Sequence, residues 1–86
     1  MTDVKIASDV LTAHLDGEAV LLHIGTKQYY RLNETGAAIW KSIEHGNDIP
    51  ATVSRLVAEF EVDPATAEAE VRRVLAELRD RGLLES

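Results

Sequence analysis

Asp16-Gly17 constrains the fold of this chain more than any other pair of residues, because it separates two short apolar runs, residues 10–15 and 18–24. An Asp-Gly pair in that setting is typical of a two-residue β-hairpin turn in which both central residues take positive φ. Gly25-Thr26 repeats the signal before residues 27–32, with glycine first, as a type II′ turn prefers. The first third of the chain is therefore predicted to form an antiparallel meander.

The last predicted strand, residues 27–32, ends the meander, so one of its edges is expected to keep unpaired backbone groups. Side chains alternate between the two faces of a strand. The even-numbered side chains should therefore point to the core, while the odd-numbered ones should form a solvated, basic face. A further β-compatible run at residues 4–7 is separated from residue 10 by a predicted bulge or turn.

Three helices are expected to follow the strands. Asn33 is the predicted N-cap of the first, which ends at Gly46, and the second is predicted over residues 50–59. Asp63-Pro64 opens the third, which runs to about residue 81. Strands followed by helices indicate an α+β fold, and the length favours a single domain over residues 1–86.

The predicted core combines an aromatic residue of the first helix with an apolar stripe of the third. Trp40 lies at helical spacing with other apolar residues, so we expect it in the core rather than against a ligand. Leu83 and Leu84 are expected to fold back onto this core. The stripe of the third helix consists of Ala67, Val71, Val74, Leu75 and Leu78.

Charge and composition exclude several classes of function. Fifteen acidic and nine basic residues give a net charge of −6, which opposes binding to the phosphate backbone of nucleic acids. The chain has no cysteine, so disulfides and thiol chemistry are not expected, and a reducing cytoplasm fits this composition. No signal peptide or long apolar segment is apparent, and we expect neither export nor membrane binding.

The residues that most often carry chemistry form no recognisable motif. His14, His23 and His45 lack the spacing of a metal site, and the serines lack a nucleophile-elbow context. The glycines are dispersed, so no phosphate-binding loop is predicted. We therefore expect neither a catalytic site nor a bound metal or cofactor.

Residues 20–40 contain the pattern Tyr30-x-Leu32-Asn33, followed by Gly36 and by Ile39-Trp40. This segment, together with the Val-Asp-Pro helix start at residues 62–64, resembles the PqqD-like family of recognition elements for ribosomally made, modified peptides. The likeness covers nearly the whole chain. Within the family it is most similar to the free-standing leader-binding protein of lasso-peptide pathways.

The resemblance implies a winged-helix-like domain with a three-stranded sheet and three helices. It also implies that a leader peptide adds a strand to the edge of the third strand, in a groove facing the third helix. The strand residues expected to bind the peptide are Lys27, Gln28, Tyr29, Tyr30, Arg31 and Leu32. Those expected on the helix are Ala67, Val71, Arg72, Val74, Leu75, Leu78 and Arg79.

Two questions about these residues stay open at the level of sequence. Each apolar residue of the third helix could face either the core or the groove. The three arginines of the set could form a basic rim that meets acidic residues of the leader, or could be solvated charges on exposed faces. The partners implied by the resemblance are a transglutaminase-like leader protease and an asparagine-synthetase-like cyclase.

Other functions fit the same pattern. A PqqD-type chaperone of another pathway, such as pyrroloquinoline quinone biosynthesis, would share the motif. A winged-helix DNA-binding protein would share the fold, with the third helix in a major groove, although the net charge opposes this. A subunit-interaction domain without peptide specificity is the third alternative.

Overall fold

The computed structural model describes residues 4–85 and has the predicted α+β order of three strands followed by three helices. The antiparallel sheet has the order β1-β2-β3. Its strands are β1 (Val10–Leu15), β2 (Glu18–His23) and β3 (Gln28–Leu32). The helices are α1 (Glu34–Glu44), α2 (Ile49–Phe60) and α3 (Pro64–Asp80). Within residues 4–85, no helix is both long and apolar enough to cross a membrane.

The Asp-Gly turn between β1 and β2 is confirmed. Asp16 has a φ of 44° and Gly17 a φ of 82°, and the flanking residues Leu15 and Glu18 pair directly. Positive φ at both central positions is the geometry of a type I′ turn, whose twist matches that of the strands it joins. The local sequence is therefore sufficient to set the register of this hairpin.

The turn between β2 and β3 differs from the prediction of a two-residue type II′ turn. His23 pairs with Gln28, so four residues form the loop, and its left-handed residue is Lys27 with a φ of 62° rather than Gly25. The Lys27 amide donates to the His23 carbonyl at 2.7 Å. Lys27 and Ile24 therefore belong to the loop, and each strand is one residue shorter than predicted.

The segment before β1 does not form the strand predicted for residues 4–7. Its only pairing in the described part of the chain is an isolated bridge between Ile6 and Leu84. The Ala7 amide donates to the Leu83 carbonyl at 3.0 Å, and the Glu85 amide donates to the Lys5 carbonyl at 2.7 Å. The sequence could not reveal this pairing because it joins the two ends of the chain.

An Asn or Asp side chain caps each helix at its N-terminus. The Asn33 side chain accepts a hydrogen bond from the Gly36 amide at 2.9 Å, as the sequence predicts. Asp48 caps α2, a signal that the sequence analysis missed, and α2 consequently begins one residue earlier than predicted. Asp63 caps α3, and its hydrogen bonds with Thr66 lower the pKa of its carboxyl group.

The core lies between the inner face of the sheet and the three helices. Trp40 and Leu21 are fully buried, and the Trp40 indole Nε1 donates to the Thr12 Oγ1 at 2.9 Å. Leu83 and Leu84 fold back and are buried, as predicted. The whole apolar stripe of α3 is buried, which fixes the position of this helix relative to the sheet.

Candidate functional site

The unpaired edge of β3 is the first feature of the candidate site. One edge of β3 pairs with β2, and no strand described within residues 4–85 pairs with the other. An edge of this kind presents main-chain donors and acceptors to any extended chain that approaches it. β1 forms the opposite edge of the sheet.

The register identifies which residues of β3 point their main-chain groups outward. The Ile24 amide donates to the Asp9 carbonyl at 2.8 Å, which makes these two residues a hydrogen-bonded pair. Hydrogen-bonded and non-bonded pairs alternate along an antiparallel ladder. The even-numbered residues of β2 therefore bond to β1 and the odd-numbered ones to β3.

The partners of the odd-numbered β2 residues follow directly. Leu21 pairs with Tyr30, and Ala19 pairs with Leu32, so the even-numbered residues of β3 bond to β2. The amide and carbonyl groups of Tyr29 and Arg31 then point to the open edge. These two residues supply the backbone to which an added strand would bond.

A groove of about 230 Å³ lies beside this edge, between β3 and the C-terminal part of α3. Its apolar wall is formed by Tyr30, Leu32 and Leu78, while Glu77 and Arg81 border it on the helix side. Tyr29 and Arg31 complete the lining. The groove is therefore mixed in character, with an aliphatic and aromatic interior and charged borders.

Arg81 is a groove residue that the sequence analysis missed. Its guanidinium carbon lies 5.3 Å from the centroid of the Tyr30 ring, and its Nη2 lies 3.7 Å from the Glu77 Oε2. The Tyr30 hydroxyl donates to the Gln28 Oε1 at 2.6 Å. The sequence feature that could have pointed to Arg81 was its position four residues after Glu77, at the end of a helix.

The structure divides the apolar stripe of α3 between the core and the groove. Val71, Val74 and Leu75 are buried among the helices and do not line the groove, whereas Leu78 does. Ala67 lines a separate, smaller cavity with Phe60 and Val62. The stripe faces α1 and α2 over most of its length, and it reaches β3 only near its C-terminal end.

The arginines expected to form a basic rim do not gather around the groove. Arg31 lines the groove, and its Nη2 lies 3.1 Å from the Glu18 Oε1. Arg72 lies outside the lining and pairs with Glu68, with 3.0 Å between the Arg72 Nε and the Glu68 Oε2. Arg79 is exposed on the last turn of α3 and is also outside the lining.

The outer face of the sheet is apolar, not basic as predicted from β3 alone. Leu11, Leu22 and Tyr29 form a row across the three strands, and Arg31 is paired there with Glu18. The prediction was wrong because it considered only the alternation of side chains along β3, whereas side chains of β1 and β2 share this face. The adjacent strands place leucine and valine side chains on the same face.

A larger cavity, of about 380 Å³, lies on another side of the molecule, between the β1–β2 turn and the first two helices. Its lining includes His14, Glu34, Lys41 and Glu59. Within residues 4–85, no group of three or more histidine or acidic side chains is arranged to hold a metal ion. The open edge of β3 with its groove is therefore the better candidate for a binding site.

The chain is similar to a known protein family and to solved structures. The sequence profile of the family described as coenzyme PQQ synthesis protein D (PqqD) matches residues 18–84. The solved structure of TbiB1 in complex with the TbiA(beta) leader peptide is 39% identical, with a TM-score of 0.91 and coverage of 95% of both chains. A lasso peptide synthetase B1 complexed with its leader peptide has a TM-score of 0.89 at 24% identity, with coverage of 99% of this chain and 100% of that one. No curated protein sequence matches the chain.

Proposed function

Because this chain belongs to the PqqD family, we propose that it binds the leader segment of a ribosomally made precursor peptide. The leader adds to the edge of β3 as a further strand and lies in the groove that faces α3. The observation on which this proposal rests is the open edge of β3, with the backbone groups of Tyr29 and Arg31 directed away from β2. Residues 1–86 act together as one recognition domain.

The chemistry of strand addition fits the two parts of the site. The backbone of β3 binds any extended peptide through main-chain hydrogen bonds, irrespective of its side chains. The groove then selects among peptides, because Tyr30, Leu32 and Leu78 offer an apolar surface beside that backbone. The similarity to TbiB1, whose structure was solved with a leader peptide, supports the proposal that this chain binds a leader.

In the proposed pathway the chain performs no chemical step. It presents the precursor to a transglutaminase-like protease that removes the leader, and then to an asparagine-synthetase-like cyclase. Its contribution is to raise the effective concentration of the precursor at these enzymes. A cytoplasmic location is part of the proposal, because the precursor is made by ribosomes.

The direct test is titration of the cognate leader peptide into the purified chain, monitored by calorimetry and by amide hydrogen exchange. We expect saturable binding with a dissociation constant of roughly 1 μM or below, which corresponds to about −8 kcal/mol. Exchange at the amides of Tyr29 and Arg31 should slow, because they donate new hydrogen bonds to carbonyl groups of the peptide. The amides of Tyr30 and Leu32, which the register directs to β2, are the internal control. A leader of scrambled sequence should bind weakly, and absence of saturation with the cognate leader at high micromolar concentration contradicts the proposal.

The family description itself favours a second candidate, which is leader recognition in pyrroloquinoline quinone biosynthesis. The same titration discriminates the two, since a lasso leader and a pyrroloquinoline quinone precursor should bind this chain with different affinities. DNA binding through α3 is a weaker candidate. The helix carries four acidic residues against three arginines, and Arg72 and Arg73 are paired with Glu68 and Glu70.

Replacing Arg81 with alanine is expected to weaken leader binding by about three- to tenfold, because the guanidinium covers the Tyr30 ring at one border of the groove. Arg72→Ala is the matched control, since Arg72 is also an exposed arginine but does not line the groove. Calorimetric titration of both variants checks this expectation. Equal losses in the two variants would assign the effect to overall charge instead.

A further inference from the structure

The ring of His23 is packed between two glycines beside the start of β3. His23 is the last residue of β2 and is half-buried, with the parity of the buried residue Leu21. A Cβ on Gly25 would lie 3.1 Å from the ring Cε1, and a Cβ on Gly82 would lie 3.7 Å from the ring Nε2. The ring therefore joins the β2–β3 loop to the segment that follows α3.

Two hydrogen bonds hold the β2–β3 loop to His23. The Thr26 amide donates to the ring Nδ1 at 3.2 Å, and the Lys27 amide donates to the His23 carbonyl at 2.7 Å. A backbone amide only donates, so Nδ1 must carry a lone pair, and the proton of the neutral ring is then on Nε2. A protonated ring has a hydrogen on both nitrogens and cannot accept the bond from Thr26.

Gly25 makes room for this ring. Within residues 4–85, the positive φ of the β2–β3 loop occurs at Lys27 and not at Gly25, so backbone conformation does not require glycine at position 25. A methyl group placed 3.1 Å from the ring Cε1 is closer than carbon atoms normally pack. Alanine at this position would therefore displace the imidazole from the loop.

The contacts of His23 lead to both walls of the groove. The loop that it holds leads into β3, whose first residue, Gln28, accepts a hydrogen bond from the Tyr30 hydroxyl at 2.6 Å. Gly82, on the other side of the ring, directly follows Arg81, whose guanidinium lies over the Tyr30 ring. These contacts surround one end of the groove, and His23 connects its strand side to its helix side.

Charged groups of both signs lie on the segments around the ring. In chain order they are Lys5, Asp9, Lys27, Asp80, Arg81 and Glu85. Within residues 4–85 none of the carboxylates forms an ion pair with the ring. Asp9 is on the far side of Gly25, with its Oδ2 3.7 Å from the position of a Cβ there. A protonated ring is attracted by Asp9 and repelled by the Thr26 amide, so it favours leaving the loop.

Building on the proposed function, we propose that the neutral ring of His23 is a positioning group for peptide binding. By accepting the Thr26 amide it holds the start of β3 against the end of α3, in the geometry that receives an added strand. Protonation of Nδ1 releases the loop. An imidazole ordinarily changes charge between about pH 5 and pH 8. Because the binding-competent ring carries one proton fewer, affinity is highest above this range and falls as the pH decreases, by at most about tenfold per pH unit.

Titration of the cognate leader peptide at about pH 7.5 and about pH 5.5 tests this dependence. We expect the wild type to bind about three- to tenfold more weakly at the lower pH. In His23→Asn, the side-chain Oδ1 takes the place of Nδ1, accepts the same hydrogen bond and does not titrate. This variant should bind equally at both pH values. His14→Asn changes a histidine on β1, away from the loop, and should keep the pH dependence of the wild type.

A pair of variants at Gly25 tests the packing of the ring. Gly25→Ala in the wild-type chain should weaken leader binding by about threefold or more, because its methyl group displaces the imidazole. Asparagine has no Cε1, so Gly25→Ala combined with His23→Asn should bind as well as His23→Asn alone. Circular dichroism checks that each variant is folded. Equal losses for Gly25→Ala in both backgrounds contradict the role assigned to the ring.

Nitrogen NMR of the free chain examines the ring without any peptide. At about pH 7.5 the His23 Nε2 should carry the proton and Nδ1 should not. A proton on Nδ1 overturns the inference. If the wild type binds leader but loses no more affinity at about pH 5.5 than His23→Asn does, the positioning role is wrong while the proposed function stands. If the wild type binds no leader at either pH, the proposed function fails and the positioning role fails with it, whatever the NMR spectrum shows of the loop.

Discussion

Arg31→Pro is expected to lower the affinity for the leader peptide by roughly 10- to 100-fold, since an unsatisfied hydrogen-bonding group costs about 1–3 kcal/mol. The register directs the Arg31 amide to the open edge of β3, and proline has no amide hydrogen to donate. A leader carbonyl that reaches this position then finds no donor. Proline is tolerated at an edge when its nitrogen faces away from the neighbouring strand, so the sheet should still form.

Two variants separate the backbone effect from side-chain and folding effects. Arg31→Ala removes the guanidinium and its pairing with Glu18 but keeps the amide, so its loss of affinity should be much smaller. Tyr30→Pro removes a bond to β2 and should destabilise the sheet itself. Circular dichroism checks folding, and calorimetry measures binding. If Arg31→Pro and Arg31→Ala bind leader equally, main-chain pairing at this position does not contribute.

Trp40→Ala is expected to lower the free energy of unfolding by about 3–5 kcal/mol, the usual cost of truncating a buried aromatic residue. Trp40 is fully buried between α1 and the sheet, and its indole donates to Thr12. Small domains are stable by only about 5–15 kcal/mol, so much of the total would be lost. Urea denaturation followed by circular dichroism measures this, since the variant has no tryptophan to report fluorescence.

Thr12→Val isolates the hydrogen bond from the packing. It leaves the indole Nε1 of Trp40 without its acceptor, and we expect a loss of about 1–3 kcal/mol. Leu11→Ala, one residue away but 57% exposed, is the matched control and should cost well under half as much as Trp40→Ala. A loss for Trp40→Ala no larger than that for Leu11→Ala would show that Trp40 does not hold the sheet to the helices.

Local sequence signals predicted the elements well where the structure depends on local chemistry. Asp16-Gly17 specifies its turn because positive φ at two successive residues is a property of those residues. Asn33 and Asp63 mark helix starts because a cap satisfies amides only three residues away. The turn predicted from Gly25 was wrong, because a four-residue loop can place its left-handed residue at another position, here at Lys27.

The candidate site was predicted less completely. The edge strand and Leu78 are at the groove, but Val71, Val74 and Leu75 are in the core. The arginine that lines the groove beside α3 is Arg81, which directly follows the helix, and not Arg72 or Arg79. Periodicity identifies which side of a helix is apolar. It does not say where along that side the helix leaves its neighbours and reaches the sheet.

The sequence by itself determined the order of strands and helices, the β1–β2 turn, the caps of α1 and α3 and the central place of Trp40, because each follows from short-range geometry or from burial of a large apolar side chain. Only the tertiary structure decided that residues 5–7 pair with the segment after α3, that Arg81 covers Tyr30, and that Leu11, Leu22 and Tyr29 form a row across the three strands. These features bring together residues distant along the chain. Their positions depend on how the helices pack against the sheet, and no local signal encodes that arrangement.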